Sequence, residues 1–170
     1  MENLFQKINP KQLNFNVFKI LDDDWMLVTA GTPTHCNTMT ASWGGFGILW
    51  NKPVAFVFIR PQRYTYLFAE KYPGLTLSFF DEHHRETLNY CGAQTGKDVD
   101  KIAHCGLTPF QTESGSVAFQ QARLIFDCKK LYFQDINPAH AVDINFAKIY
   151  PHNDYHRMYV CEITQCYEKK

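Results

Sequence analysis

The chain has 170 residues, with 17 Lys and Arg against 17 Asp and Glu, so its formal net charge is zero at pH 7. This length predicts one compact domain, residues 1–170, that buries roughly two thirds of its unfolded surface. No overall positive field would draw such a protein to nucleic acid or to an anionic membrane, so any site for an anion must be local.

The remaining composition points to a β-rich protein of the cytoplasm. Fourteen Phe and nine Tyr favour strands and a large core. The N-terminus has no basic segment followed by an apolar one, and no apolar run reaches transmembrane length, which predicts a cytoplasmic protein without a membrane partner. The six cysteines form no C-x-x-C pair, which suits reduced thiols better than a disulfide framework.

The first quarter of the chain alternates strand-like runs with turns. Residues 16–21 predict a short strand, and the acidic residues 22–24 predict a turn. Residues 25–30 predict a second strand. The break after them favours a hairpin-like return into residues 36–42, so these strands should be neighbours.

Three glycines follow this return. Gly44, Gly45 and Gly47 lack the G-x-G-x-x-G spacing and the helix of a dinucleotide-binding fold, and residues 92–98 lack the spacing of a phosphate-binding P-loop. The glycines instead indicate a turn that lets a flat group lie against the backbone. An ordinary tight bend between strands is the alternative.

A candidate anion site follows the next strand. Residues 54–59 (VAFVFI) predict a buried strand, Pro61 ends it, and a helix begins near Tyr64 and ends before residues 73–74. Residues 60–65 (RPQRYT) therefore place two guanidiniums at a helix N-terminus, which can bind a phosphate group. A pair of solvated arginines is the alternative interpretation.

The second half adds a strand and helix, a loop region and two more strands. Residues 75–80 predict a strand, and residues 81–86 open a helix in which adjacent His83 and His84 fit a surface better than a zinc site. A short helix ends at Gly106. Residues 106–115 read as a loop, and residues 116–133 read as one long, bent strand.

The final strand is predicted over residues 155–166, and His156 lies where it begins. This histidine could contact a ligand, or it could be a partly exposed residue with an ordinary hydrogen bond.

Several separate motifs, in this order, resemble the flavin reductase-like family and most closely its flavoredoxin-type branch. They are residues 37–47 (NTMTASWGGFG), 60–65 (RPQRYT), 77–82 (LSFFDE), 96–101 (GKDVDK) and 154–160 (DYHRMYV). The resemblance covers nearly the whole chain. It implies a mainly β fold with peripheral helices, the Greek-key, antiparallel, FMN-binding split β-barrel. It also implies a homodimer with non-covalent FMN near each subunit interface.

The resemblance further implies a set of cofactor-binding residues. Along the isoalloxazine ring it places Thr38, Met39, Thr40, Ala41, Ser42 and Trp43, with the hydroxyls of Thr40 and Ser42 facing the polar edge of the ring. On the phosphate side it places Arg60, Gln62, Arg63, Tyr64 and Thr65. Lys97, Asp98 and Asp100 belong to a loop that can approach the flavin from the partner subunit, and His156 lies near the flavin. No catalytic side chain and no metal ligand are implied.

Two functions fit this resemblance, and a third is weaker. The first is an NAD(P)H:flavin oxidoreductase that accepts hydride onto bound FMN and passes electrons to free flavin or to a protein acceptor. The second is an electron carrier reduced by a redox protein partner, without direct NAD(P)H oxidation. The third is a thiol redox sensor. Its nearest cysteine pair, Cys161 and Cys166, is five positions apart and is expected to face opposite sides of one strand.

Overall fold

A computed structural model describes residues 4–170, which fold around one large antiparallel sheet. The strands are β1 Phe5–Ile8, β2 Met26–Thr32, β3 His35–Ala41, β4 Gly44–Leu49, β5 Lys52–Ile59, β6 Gly74–Phe79, β7 Pro109–Gln111, β8 Val117–Phe119, β9 Leu124–Asp135 and β10 Arg157–Lys169. The α-helices are α1 Tyr64–Lys71, α2 Arg85–Ala93, α3 Lys101–His104 and α4 Phe146–Ile149. Short 3₁₀ turns cover Pro10–Gln12, Glu82–His84 and Pro138–His140. None of the helices in this part of the chain is long and apolar enough to cross a membrane.

The large sheet curls into a barrel that is open along one side. Its strand order is β3-β2-β6-β9-β10-β5-β4, with β1 added beside β10, and β7 and β8 pair separately. A Cβ placed on Gly44 of β4 would lie 3.3 Å from Met26 Cε of β2, although four strands separate β4 from β2 in the sheet. Because β2 and β4 approach without pairing, the predicted mainly β, Greek-key split barrel is confirmed.

The core fills the inside of this barrel. Met26, Val57, Leu77 and Phe126 are almost fully buried in one apolar cluster that draws on the strands of the curled sheet. A second cluster lies outside it, between the sheet and α2, and includes Leu88 and Phe119. The aromatic and β-branched residues therefore form strands around a large core, as the composition of the sequence predicts.

The predicted strand over residues 16–21 is wrong. This segment is helical and continues as a π-helix over Lys19–Asp24. The side chain of Asn16 accepts hydrogen bonds from the backbone N–H groups of Phe18 and Lys19, at 3.0 and 3.2 Å. An asparagine that caps backbone amides in this way starts a helix, and it outweighs the short apolar run behind it.

The segment with Gly44, Gly45 and Gly47, predicted to be a turn or a tight bend, is instead the strand β4. Gly44–Leu49 pairs with β5 through a tight hairpin at Trp50 and Asn51, whose φ angles of 51° and 61° suit a type I′ turn. A Cβ on Gly44 would lie 2.9 Å from the carbonyl oxygen of Phe56. The glycine is therefore needed for close packing of β4 against β5.

Two further strand predictions need correction. The long bent strand over residues 116–133 is in fact two strands, β8 and β9, with a turn between them, and β7 lies within the predicted loop over residues 106–115. Cys161 and Cys166 do not face opposite sides. A β-bulge between Ile163 and Gln165 shifts the alternation by one residue, so both thiols are buried in the barrel core.

Candidate functional site

A cavity of about 200 Å³ opens where β3 leaves the sheet, and we call it the sheet-edge cavity. The chain turns there from β3 into β4, and the ends of β5 and β10 lie beside it. Its lining includes eight of the predicted site residues and one residue that sequence reasoning missed, Phe58. The predicted ones are Met39, Thr40, Ala41, Ser42, Trp43, Arg60, Arg63 and His156.

The hydroxyl groups of Thr38, Thr40 and Ser42 are not equally available to a ligand in the sheet-edge cavity. The Thr38 hydroxyl is fully buried and lies 2.8 Å from that of Thr29, so it stabilises the β2–β3 pair instead of facing the cavity. Thr40 Oγ1 donates to the carbonyl oxygen of Leu88 at 2.5 Å and ties β3 to α2. Within residues 4–170 the Ser42 hydroxyl has no such partner, so it is the one available to a ligand.

The guanidinium of Arg60 is held by the protein itself. It forms an ion pair with Asp154 at 2.7 Å, donates to the Ile149 carbonyl oxygen at 3.1 Å, and lies 5.0 Å from the centre of the Tyr150 ring. Gln62 Nε2 donates to the same Asp154 carboxylate at 2.5 Å. These contacts fasten the segment before β10 to the end of β5, a role that the sequence did not indicate.

Arg63 is different, because its guanidinium makes no hydrogen bond or ion pair within residues 4–170. The side chain is half-buried, and burial, with a smaller contribution from Arg60, lowers its pKa. Arg63 is also the N-cap residue of α1, and its side chain makes no capping hydrogen bond. First-turn amides and an unpaired guanidinium thus lie together, an arrangement that attracts an anion.

A second cavity, of about 190 Å³, lies on the other side of Arg63 and is called the helix-end cavity. Residues 62–65 form one wall and residues 93–96 the other. Tyr64 packs on Phe68, and Thr65 Oγ1 is buried and accepts a hydrogen bond from Asn37 at 2.7 Å. The side chain of Thr65 therefore supports the wall and does not face a ligand.

Lys101 forms the floor of this cavity and was not among the predicted residues. It is 3 % exposed, and its ammonium donates to the carbonyl oxygens of Thr38, Cys91 and Gln94. Burial lowers its pKa to about 8. Lys101 thereby links β3 to the end of α2. Apart from its place in the 96–101 motif, nothing in the sequence indicates that this lysine is buried.

The three predicted residues of that motif lie elsewhere. Residues 96–103 border another cavity, of about 600 Å³, together with the β2–β3 hairpin, and Lys97, Asp98 and Asp100 are part of this border. Asp100 caps α3 through the amides of Ile102 and Ala103. Within one chain these three residues do not line the sheet-edge cavity, so the structure does not bring them together with residues 39–43.

His156 closes the sheet-edge cavity from the β10 side. It is 8 % exposed, and its ring lies 5.1 Å from the Trp43 ring and 6.4 Å from the Phe58 ring, measured between centroids. Its Nδ1 is 3.0 Å from the Tyr150 hydroxyl. Burial lowers the pKa of His156 to about 4, so the imidazole is neutral at pH 7.

The cavities combine a flat apolar wall with one localised cationic corner. Trp43 and Phe58 supply aromatic surface, Ser42 and His156 supply neutral polar atoms, and Arg63 supplies positive charge. Such a site is suited in shape and charge to a planar molecule that carries an anionic tail. Within the described residues, no group of three or more His, Cys, Asp or Glu side chains is placed to hold a metal ion.

Comparison with solved structures finds the same fold in several other proteins. Flavoredoxin from Methanosarcina acetivorans aligns with a TM-score of 0.70 and 20% identity over 97% of this chain and 76% of that one. An FMN-binding protein from Thermus thermophilus gives 0.66 and 18% over 96% and 77%. Nitrilotriacetate monooxygenase component B from Bacillus cereus gives 0.66 and 15% over 95% and 80%.

The sequence itself matches a family model along most of its length. A search of curated protein sequences gave no match. The model of the flavin reductase like domain, however, matches residues 23–170. The resemblance carried by the five motifs is thereby confirmed, and the chain belongs to the flavin reductase-like family.

Proposed function

We propose that this protein is an FMN-dependent oxidoreductase that takes hydride from NAD(P)H and passes electrons to free flavin or to a protein acceptor. The observation that carries the proposal is Arg63, a half-buried guanidinium that has no partner among residues 4–170 and lies beside the uncapped first turn of α1. An FMN phosphate has close to two negative charges, which such a corner would balance in a protein of zero net charge.

The residues of the sheet-edge cavity would hold the rest of the cofactor. Backbone and side chains of residues 39–43 would line the ring, and Ser42 would offer its hydroxyl. Trp43 and Phe58 would exclude water from one side. Bound FMN would supply the redox chemistry itself, so the protein needs only to bind, orient and shield it.

The cofactor part of the proposal is tested by comparing FMN with riboflavin, which lacks the phosphate. Replacing Arg63→Gln should weaken FMN binding by roughly 10- to 150-fold, the equivalent of about 1.5–3 kcal/mol for one charged hydrogen bond, and leave riboflavin almost unchanged. Lys71→Gln, which removes a charge from the last turn of the same helix, is the matched control. Equal losses for both ligands would place the phosphate away from Arg63.

The reaction is tested by anaerobic stopped-flow mixing of the FMN-loaded protein with NADH or NADPH. Rapid loss of flavin absorbance is expected with one of them. If the flavin stays oxidised with both, direct NAD(P)H oxidation is ruled out.

An electron carrier is the second candidate, and one observation favours it. Trp43 borders the sheet-edge cavity and is 51% exposed, so apolar surface extends from the cavity to the outside, where a redox protein could dock. A carrier would be reduced slowly by nicotinamides and rapidly by a reduced protein partner.

The homodimer is also a proposal. Ile48 and Trp50, at the end of β4, and Tyr132 and Phe133 of β9 are exposed apolar residues that a second copy would cover. A partner subunit could also bring residues 97–100 towards the flavin. Light scattering after size-exclusion chromatography tests this, and a monomer at working concentration would contradict it. A cytoplasmic location stays a prediction.

A further inference from the structure

Tyr150 is tied to His156 by one buried hydrogen bond. The Tyr150 side chain is 4% exposed, and its hydroxyl lies 3.0 Å from His156 Nδ1. The guanidinium of Arg60 covers the Tyr150 ring, which holds the phenol in place.

This contact decides where the hydrogens lie. The phenol has a single hydrogen to donate. Within residues 4–170 the only acceptor for that hydrogen is Nδ1. If Nδ1 itself carried a hydrogen, the buried phenol would have no acceptor, and folded proteins rarely leave a buried polar hydrogen unpaired. Nδ1 must therefore be the unprotonated nitrogen.

The other ring nitrogen, Nε2, is left for a ligand. A neutral imidazole has one N–H, and with Nδ1 unprotonated that N–H is at Nε2. His156 lines the sheet-edge cavity, and Nε2 has no partner within the described residues. The ring stays neutral because Trp43 and Phe58 enclose it and the Arg60 guanidinium, itself paired with Asp154, opposes a second positive charge.

We propose that Tyr150 is a positioning residue that fixes His156 in the Nε2–H form, so that the cavity offers a neutral hydrogen-bond donor apart from the cationic corner at Arg63. The ligand class that matches both the His156 donor and the Arg63 cation is a planar ring with a carbonyl or imine acceptor and an anionic tail. The assignment of the acceptor to the ring of FMN rests on the function proposed above, whereas the tautomer does not.

The tautomer is tested without any ligand. Protein labelled with ¹⁵N-histidine is studied by long-range ¹H–¹⁵N correlation at pH 7, with His156→Gln to assign the signals among the seven histidines. The expected spectrum shows a protonated Nε2 and an unprotonated Nδ1 at His156, and Tyr150→Phe should convert this into a mixture of tautomers. A protonated Nδ1 in the wild type, or an unchanged spectrum in Tyr150→Phe, would overturn the proposal. Should Tyr150→Phe fail to fold, the wild-type spectrum alone decides.

The ligand part is tested by FMN titration of the same proteins. Tyr150→Phe and His156→Gln should each weaken FMN roughly 3- to 10-fold, the range of one neutral hydrogen bond. Tyr155→Phe is the control, because in the described part of the chain the Tyr155 hydroxyl bonds only the exposed Asn153 side chain. Wild-type affinity in both variants would overturn the donor role. If the wild type itself binds no FMN, the proposed function fails while the tautomer result stands.

Discussion

Replacing the buried Lys101 by Met should destabilise the protein strongly, although Lys101 belongs to the polar 96–101 motif. The carbonyl of Cys91 is among the last four of α2, which have no partner within the helix, and Gln94 is the C-cap. The Lys101 ammonium donates to both carbonyls and also to Thr38 of β3. It therefore caps the helix, answers the negative end of its dipole and joins the helix to the barrel.

The size of the effect follows from these three contacts. A hydrogen bond to a charged group contributes about 1.5–3 kcal/mol, and a buried carbonyl left without a donor costs about 1–3 kcal/mol. Methionine keeps the apolar stem and removes the desolvation cost of the ammonium, which offsets part of the loss. We expect a net loss of about 2–4 kcal/mol in the free energy of unfolding.

Urea unfolding followed by circular dichroism measures this change, and thermal unfolding should show a midpoint lower by about 4–16 °C. Lys129→Met is the matched control, because Lys129 is exposed on β9, and its stability should stay within about 0.5 kcal/mol of the wild type. A Lys101→Met protein as stable as this control would refute the interpretation of Lys101 as a helix cap.

Two other predictions concern titratable groups. The thiols of the native protein should react slowly with a disulfide reagent at pH 8, because burial raises the pKa of Cys36 to about 11 and that of Cys91 to about 12. In guanidinium, which unfolds the protein, all six thiols should react at once. Rapid labelling of the folded protein would contradict this prediction. Burial lowers the pKa of His156 in the folded protein to about 4, against an ordinary value of 6.5. As pH falls, the unfolded chain therefore binds a proton at this histidine before the folded protein does, and the free energy of unfolding decreases between about pH 6.5 and pH 4. His156→Gln should lose less stability than the wild type over this interval, and equal pH profiles would show that the imidazole is not buried as described.

The sequence predicted the elements that are built from local patterns. The apolar run of β5, the helix after Pro61 and the hairpin of β2 and β3 all appear within a few residues of their predicted positions. Arg63 was correctly placed at a helix N-terminus for the same reason, since a strand followed by proline and a helical pattern is a local signal.

The remaining features depend on contacts between distant segments. Asp154 lies 94 positions from Arg60, and no pattern around either residue shows that they pair. Lys101 is buried because three carbonyls from two other elements converge on it. The bulge in β10 depends on its partner β9, so the side on which Cys166 lies could not be read from alternation alone.

The most direct measurement is a titration of the ligand-free, folded protein with FMN, read by quenching of flavin fluorescence. We expect saturable binding of one FMN per chain and clearly weaker binding of riboflavin, because the phosphate would lie at Arg63. A folded sample that shows no saturable binding of FMN would contradict the central claim.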